Sequence, residues 1–193
     1  MHVEDLLEHY PKSIKLKNGK TAAMRPLRFG DEHQFHTFFV EIPATERILS
    51  KHRVTDPAII REWCANIDYG KILPLLALDG EKIVADASLH QTLGGWKRHI
   101  GRISVFVHPK YRGIGLAGLL VNELIQIARD LGLEKLEAEF LGEQAAARRV
   151  FAERGFHEML ALKDYVKDMQ AITHDYVLMG RDIITDEEYA GAQ

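Results

Sequence analysis

Apolar positions along the chain switch between two periods. Leu116, Leu119, Leu120, Leu124, Ile127, Ala128 and Leu131 recur at i, i+3, i+4 and i+8, which predicts one long amphipathic helix with a buried stripe. Gly132 follows as its C′ stop. Before this helix, His99–Val107 reads as a strand. Near its end Ile103, Val105, Phe106 and Val107 are apolar on both faces, as expected of a central strand. Pro109 ends it, since proline cannot donate to a ladder. After the helix, Lys135–Phe140 alternates: Leu136, Ala138 and Phe140 form a core face, and Glu137 and Glu139 share the other.

The flanking segments read in the same way. Ile14–Leu27 is a hairpin turned at Asn18-Gly19. Gly30-Asp31 opens a helix to about Val40, with Asp31 as its expected N-cap, and Pro43 breaks it. Thr55-Asp56-Pro57 starts a second helix to about Ile67. Ile72–Leu78 and Lys82–Gln91 form a hairpin across Asp79-Gly80, and Gly94-Gly95 is another turn. A short helix from about Gln144 to Arg154 stops at Gly155. Phe156–Val166 and His174–Arg181 form a terminal hairpin, and the polar tail from Asp182 is expected to fray. The order is hairpin, two helices, three strands, helix, strand, helix, two strands: a mixed α/β (α+β) pattern with one dominant crossover helix. Without a repeat or a dividing linker, residues 1–193 are expected to form one domain, with residues 1–12 an N-terminal extension and 182–193 a flexible tail.

Composition narrows the classes. Hydrophobic residues make up 46% of the 193, enough for a core. A formal charge of -3 lacks the basic excess of a nucleic-acid binder. No run reaches the roughly 18 apolar residues that span a bilayer, and Met1–Lys12 is acidic without the apolar centre of a signal peptide. A soluble, cytoplasmic protein without nucleic-acid or membrane partners is expected. The single cysteine, Cys64, sits in an apolar helical stretch and reads as core filler. The 10 histidines show no HExxH-like spacing, so no metal site is expected.

The candidate chemistry lies between the central strand and the long helix, in Val105-Phe-Val-His-Pro-Lys-Tyr-Arg-Gly-Ile-Gly-Leu-Ala117. The first amides of a helix have no internal partner, and the helix dipole adds partial positive charge there. Gly113 and Gly115 let the backbone approach an anion closely, and Arg112 is placed to add a full charge. Together these suit a pyrophosphate. No Gly-Lys-Ser/Thr follows, so this is not a Walker A loop. Gly113, Gly115 and Gly118 have the Rossmann spacing, but more than a hundred residues precede them, whereas a Rossmann unit normally starts its domain.

Arg112-Gly-Ile-Gly115-Leu-Ala117 matches the Q/R-x-x-G-x-G/A acetyl-CoA loop of the GNAT superfamily, preceded by the common His108-Pro109-x-Tyr111. Leu131-Gly-Leu-x-Lys135-Leu, Ala138-Glu-Phe140, Gln144-x-x-Ala147, Phe151-x-x-x-Gly155-Phe156 and Asp175-x-x-x-Met179 follow that family's later elements in order. The opening Met24-Arg-Pro-Leu, Asp31-Glu32 and Thr55-Asp-Pro-Ala58 resembles bacterial and archaeal protein lysine acetyltransferase domains. The resemblance implies a twisted, mostly antiparallel sheet with about four helices and the family's β4/β5 splay. It implies an acetyl-CoA-dependent N-acetyltransferase acting on a protein or small-molecule amine, commonly as a homodimer, with no metal. Pantetheine would pair with backbone near Val105, Phe106 and Val107. The pyrophosphate would meet the amides of Arg112, Gly113, Ile114, Gly115, Leu116 and Ala117. Gln144, Ala147 and Phe151 occupy further cofactor-lining positions, with Gln144 where Asn is frequent. Many members carry at Phe151 a tyrosine that protonates the departing thiolate, and phenylalanine has no proton to give.

Acetyl transfer needs a neutral amine, and a lysine with a reference pKa near ~10.4 needs a base more than an α-amine near ~7.7–8.0. Glu139 is the candidate base: it stands on the polar face of its strand and matches a glutamate that serves as base in protein N-terminal acetyltransferases of the superfamily. His99 is the second candidate base, and Tyr165 a candidate replacement acid. Phe151 also leaves open an acyl-CoA-binding module without turnover. A nucleotide-binding domain is a third reading of the glycine loop. Glu41–Val54 and Lys163–Thr173, which should line the acceptor site, carry both charge signs and select no substrate.

Overall fold

A computed structural model describes residues 3–47 and 53–183. The strands are β1 (Lys12–Lys15), β2 (Thr21–Pro26), β3 (Ile72–Asp79), β4 (Lys82–Gln91), β5 (Ile100–Val107), β6 (Lys135–Leu141), β7 (His157–Lys167) and β8 (Thr173–Asp182). They form one sheet in the order β1-β2-β3-β4-β5-β6-β8-β7. The helices are α1 (Val3–Leu7), α2 (Glu32–Glu41), α3 (Ala44–Arg47), α4 (Pro57–Ala65), α5 (Leu116–Asp130) and α6 (Ala145–Ala152).

Each neighbouring pair of strands is antiparallel except β5 and β6. This parallel pair holds only at its start, through Ile100↔Lys135, Gly101↔Leu136 and Arg102↔Glu137. Beyond Arg102 and Glu137 the two strands part, which is the splay that the resemblance implied. The closed end is tight. A Cβ on Gly101 would stand 2.8–3.0 Å from side chains of Leu133, Leu89 and Leu136, so a larger residue there would push the pair apart.

Each face of the sheet carries its own core. On one face α5 buries Leu116, Leu120, Val121, Leu124 and Ala128 against Leu75, Ala87, Leu89, Ile103, Leu136 and Ala138. A fully buried leucine contributes about 1.5–3 kcal/mol, so this stripe dominates the anchoring of α5. On the other face α2 and α4 pack Phe35, Phe38, Phe39, Ile60 and Cys64 against Leu76, Leu78 and Ile83.

The structure departs from the sequence expectations at several points. Within the expected extension, Val3–Leu7 is a short helix, and Tyr10 and Lys12 both bond Glu123 of α5. Asp31 does not cap α2 with its side chain. Its carboxylate is held instead by Arg25 at 2.6 and 2.8 Å and by the Arg28 amide at 2.8 Å, a charge-assisted pair that outcompetes a neutral cap. Asp56 does cap, taking the Ala58 amide at 2.9 Å. After Pro43 the chain forms the turn α3 rather than a plain break. His99 belongs to the turn before β5 and not to the strand. Asp182 still pairs with Lys135, and the Ile183 amide reaches the Glu134 carbonyl at 2.7 Å, so the order of β8 extends past the expected start of the tail. Residues 184–193 lie outside the described residues. Among the described residues no helix is long and apolar enough to cross a membrane, and no group of three or more His, Cys, Asp or Glu is placed to hold a metal ion.

Candidate active site

Strand β5 ends beside the open mouth of the splay and passes through the 3-10 turn Pro109–Tyr111 into the glycine loop. His108 Nδ1 accepts from the Lys110 amide at 3.2 Å, and the Tyr111 hydroxyl donates to Asp79 at 2.8 Å. Gly113 and Gly115 then take φ of 76° and 86°, a left-handed conformation that costs other residues about 1–2 kcal/mol. Gly115 is the N-cap of α5 and brings no capping side chain. Among the described residues, no protein acceptor takes the amides of Gly113, Ile114, Gly115, Leu116, Ala117 and Gly118. The loop therefore presents open donors at the positive end of a four-turn helix.

A neighbour that sequence reading missed completes this loop. The Lys17 amide, in the β1–β2 turn, donates to the Ile114 carbonyl at 3.1 Å. The Lys17 side chain lies 3.2–3.4 Å from where a Cβ on Gly115 would stand. The first hairpin thus props the loop and brings an ammonium group to it. Arg112 is engaged elsewhere in this structure. Its Nε donates to the Val107 carbonyl at 3.1 Å, and its two remaining nitrogens hold Glu46 of α3 at 3.0 and 2.5 Å.

The splay leaves the β6-facing edge of β5 from Ile103 to Val107 without a strand partner. Val105 and Val107 pack on the α5 face. Phe106 packs on the other face, its ring 5.8 Å from Phe39. Gln144 turns its side-chain carbonyl back to accept the Leu141 amide at 2.8 Å, fixing the end of β6. Ala147 is half-buried against the core. Phe151 is 0% exposed, edge-on between Phe140 and Phe156 at 5.1 and 5.0 Å. Its ring is part of the core, with no surface on the cleft.

Glu139 stands two residues past the last β5–β6 pair, on the face opposite α5. Its Oε2 accepts from Arg102 across the opening at 3.1 Å, and its Oε1 accepts from the Tyr176 hydroxyl at 3.1 Å. This face carries a cavity of about 520 Å³ whose wall includes Lys71, His90, Lys97, Arg102, Glu137 and Glu139. His90 Nε2 lies 3.5 Å from Ser104 Oγ. Further along β4, Asp86 is buried with Ser88 Oγ donating at 3.3 Å, and burial pushes its carboxyl up to about 7. Burial also raises the Tyr176 phenol above its ordinary value, helped by the nearby Glu137 charge.

The other two catalytic candidates are placed differently. His99 sits at the closed end of the splay, where its backbone carbonyl takes the Glu134 amide at 3.0 Å. Three residues of chain separate it from Arg102, where β5 and β6 part, roughly 10 Å at the usual rise. Tyr165 is exposed on β7, its ring 5.9 Å from that of Tyr176. The structure thus brings Glu139 to the cleft, leaves His99 at the closed end before the strands part, and inserts Tyr176 between Glu139 and Tyr165. Tyr176 and Arg102 were hidden from sequence reading because Arg102 sits in no motif and Tyr176 falls on an unspecified position of Asp175-x-x-x-Met179. The available signal was alternation in His174–Arg181, which puts Tyr176 and Leu178 on one face but cannot say which strand they lie beside.

Comparison with known proteins agrees with this geometry. The model of the acetyltransferase (GNAT) family matches residues 32–156. Acetyltransferase PA5475 of Pseudomonas aeruginosa is 26% identical over 155 residues, 77% of this chain and 81% of that one. YwnH of Bacillus subtilis (strain 168), provisionally named a phosphinothricin acetyltransferase, is 27% identical over 81 residues. That match covers 42% of this chain and about half (49%) of YwnH. Among solved structures, the GNAT domain of S. lividans PAT superposes with a TM-score of 0.75 at 18% identity, over 91% of this chain and 98% of that one. The yncA structure from Salmonella typhimurium, which contains acetyl-CoA, gives 0.72 at 19% identity, over 86% and 95%. With its glycine loop, its splay and well over half of its length matched, the chain belongs to the acetyltransferase (GNAT) family, whose acetyltransferases use acetyl-CoA.

Proposed function

We propose that this chain moves the acetyl group of acetyl-CoA to a primary amine by direct attack, with Glu139 as general base. The acceptor is a protein lysine or N-terminus, or a small-molecule amine. The observation that carries this reading is the position of Glu139: it lines a cavity on the face opposite α5, at the point where β5 and β6 part. Acetyl-CoA supplies an acetyl group already activated as a thioester. The residues present fit such a molecule. The open amides of Gly113–Gly118 and the Lys17 ammonium suit its phosphates, and the unpaired edge Ile103–Val107 suits the amides of its pantetheine arm.

Glu139 is held from both sides, by Arg102 and by Tyr176, so its orientation is set before any amine arrives. An entering amine takes a place on this carboxylate and passes its proton to it. Such a positioned base contributes typically about 10²–10⁴-fold. The cavity wall mixes Lys71, Lys97 and Arg102 with Glu137 and Glu139, so selection of the amine rests on shape and contact more than on net charge. One structural neighbour supports an amine in a protein as one class: a ribosomal-protein-S5-alanine acetyltransferase from Vibrio fischeri, with a TM-score of 0.75 at 15% identity.

Phe151 favours a second reading, an acyl-CoA-binding module without turnover. One experiment separates the two: purified protein with acetyl-CoA and a panel of peptides, polyamines and amino acids, followed by thiol release and mass spectrometry. Acetylated product supports the transferase. Saturable acetyl-CoA binding with no product from any amine supports the binding module.

A further inference from the structure

With Phe151 sealed in the core, the leaving thiolate has no phenol at that position. The other described tyrosines narrow the choice of donor. Tyr10 donates to Glu123, Tyr69 to the Leu27 carbonyl at 2.5 Å and Tyr111 to Asp79, all away from Glu139. Tyr165 is 66% exposed and touches the site only through the ring of Tyr176. Tyr176 is half-buried, with its hydroxyl 3.1 Å from the carboxylate at the opening.

We propose that Tyr176 is the proton donor to the leaving thiolate and that its hydrogen bond to Glu139 closes the proton cycle. This rests on the acetyltransferase reading above. The attacking nitrogen forms a bond to the thioester carbonyl carbon and gives its proton to Glu139. The carbon–sulfur bond breaks, and the sulfur takes the Tyr176 proton. Glu139 then passes its proton along the existing hydrogen bond to the Tyr176 oxygen. The net change is one proton moved from nitrogen to sulfur, and both side chains end as they began. Arg102, on the other oxygen of Glu139, keeps the carboxylate turned toward Tyr176 throughout. Burial raises the phenol, so its proton is in place across the neutral range. The charged and titratable groups around it are Glu137, Glu139, Arg102 and Tyr165.

The test uses the full-length protein with acetyl-CoA and whichever amine the panel identifies. Tyr176→Phe should lower kcat by about 10²-fold, leave the calorimetric Kd for acetyl-CoA within twofold, and abolish the alkaline limb of the kcat profile. Replacing Tyr176 with 3-fluorotyrosine, a more acidic phenol of nearly the same size, should keep turnover and move that limb to lower pH. The proposal is overturned if Tyr176→Phe keeps kcat within threefold, or if the alkaline limb is unmoved in both variants. Wild-type protein that acetylates no amine overturns the transferase reading itself. Wild-type turnover with an unaffected Tyr176→Phe overturns only the assignment of Tyr176.

Discussion

Glu139 and Tyr176 meet at 3.1 Å although 37 residues separate them, because β6 and β8 pair antiparallel with Leu141 opposite Tyr176. Register puts both side chains on the sheet face opposite α5, and the splay leaves Glu139 at its opening. A carboxylate and a phenol on neighbouring strands thus form one unit at the point where β5 and β6 part.

Glu139→Gln keeps the size of the side chain and an acceptor for Tyr176 but removes the base. We expect kcat at neutral pH to fall by about 10²-fold or more, with acetyl-CoA affinity unchanged. Steady-state kinetics beside calorimetric titration check this, and unchanged turnover removes Glu139 from the mechanism.

Gly115→Ala tests the loop. A φ of 86° and the close Lys17 chain both oppose a Cβ there. The backbone term alone is about 1–2 kcal/mol. A lower melting temperature and weaker acetyl-CoA binding should appear together, since relief of the strain turns the loop amides. A variant that binds normally contradicts the cradle.

Lys17→Met retains most of the aliphatic chain packed on Gly115 and removes the charge. An exposed charge of this kind contributes up to about 1 kcal/mol, so the Kd for acetyl-CoA should rise by up to about fivefold. The effect should shrink at high salt, and stability should hold. A salt-independent loss would point to packing instead.

Asp86 gives a pH prediction for stability. Its folded-state pKa of about 7 lies above the unfolded value near ~3.9. The folded protein therefore binds more protons than the unfolded chain between these values, and stability falls as pH rises from about 4 to about 7. Asp86→Asn removes this dependence. Its melting temperature should exceed that of the wild type at pH 8 by an amount equivalent to about 2–4 kcal/mol, and the gap should close by pH 4. Parallel melting curves across that range exclude a buried, protonated Asp86.

Elements whose signal lies within a few residues were legible before the structure. The stripe Leu116–Leu131 marked α5, the Asn18-Gly19 turn marked the first hairpin, and Arg112-Gly-Ile-Gly115 marked the anion loop. Each depends on local periodicity or on a backbone conformation that one residue type tolerates. What the sequence left open were competitions that local pattern cannot judge. Asp31 stands at the N-cap position of α2 as read, but Arg25, in β2, takes its carboxylate. Arg112 carried its charge in the right motif, but α3 folds back to present Glu46 to it.

By itself, then, the sequence determined the element order, the two-faced sheet and the glycine-rich turn into α5, because periodicity and left-handed φ are local properties. Tertiary structure alone decided where β5 and β6 part, which carboxylate faces the opening, and that Tyr176 stands beside it while Phe151 lies in the core. Those outcomes depend on strand register. A shift of one residue in β8 would carry Tyr176 to the other face, and no local pattern in His174–Arg181 records which strand lies alongside.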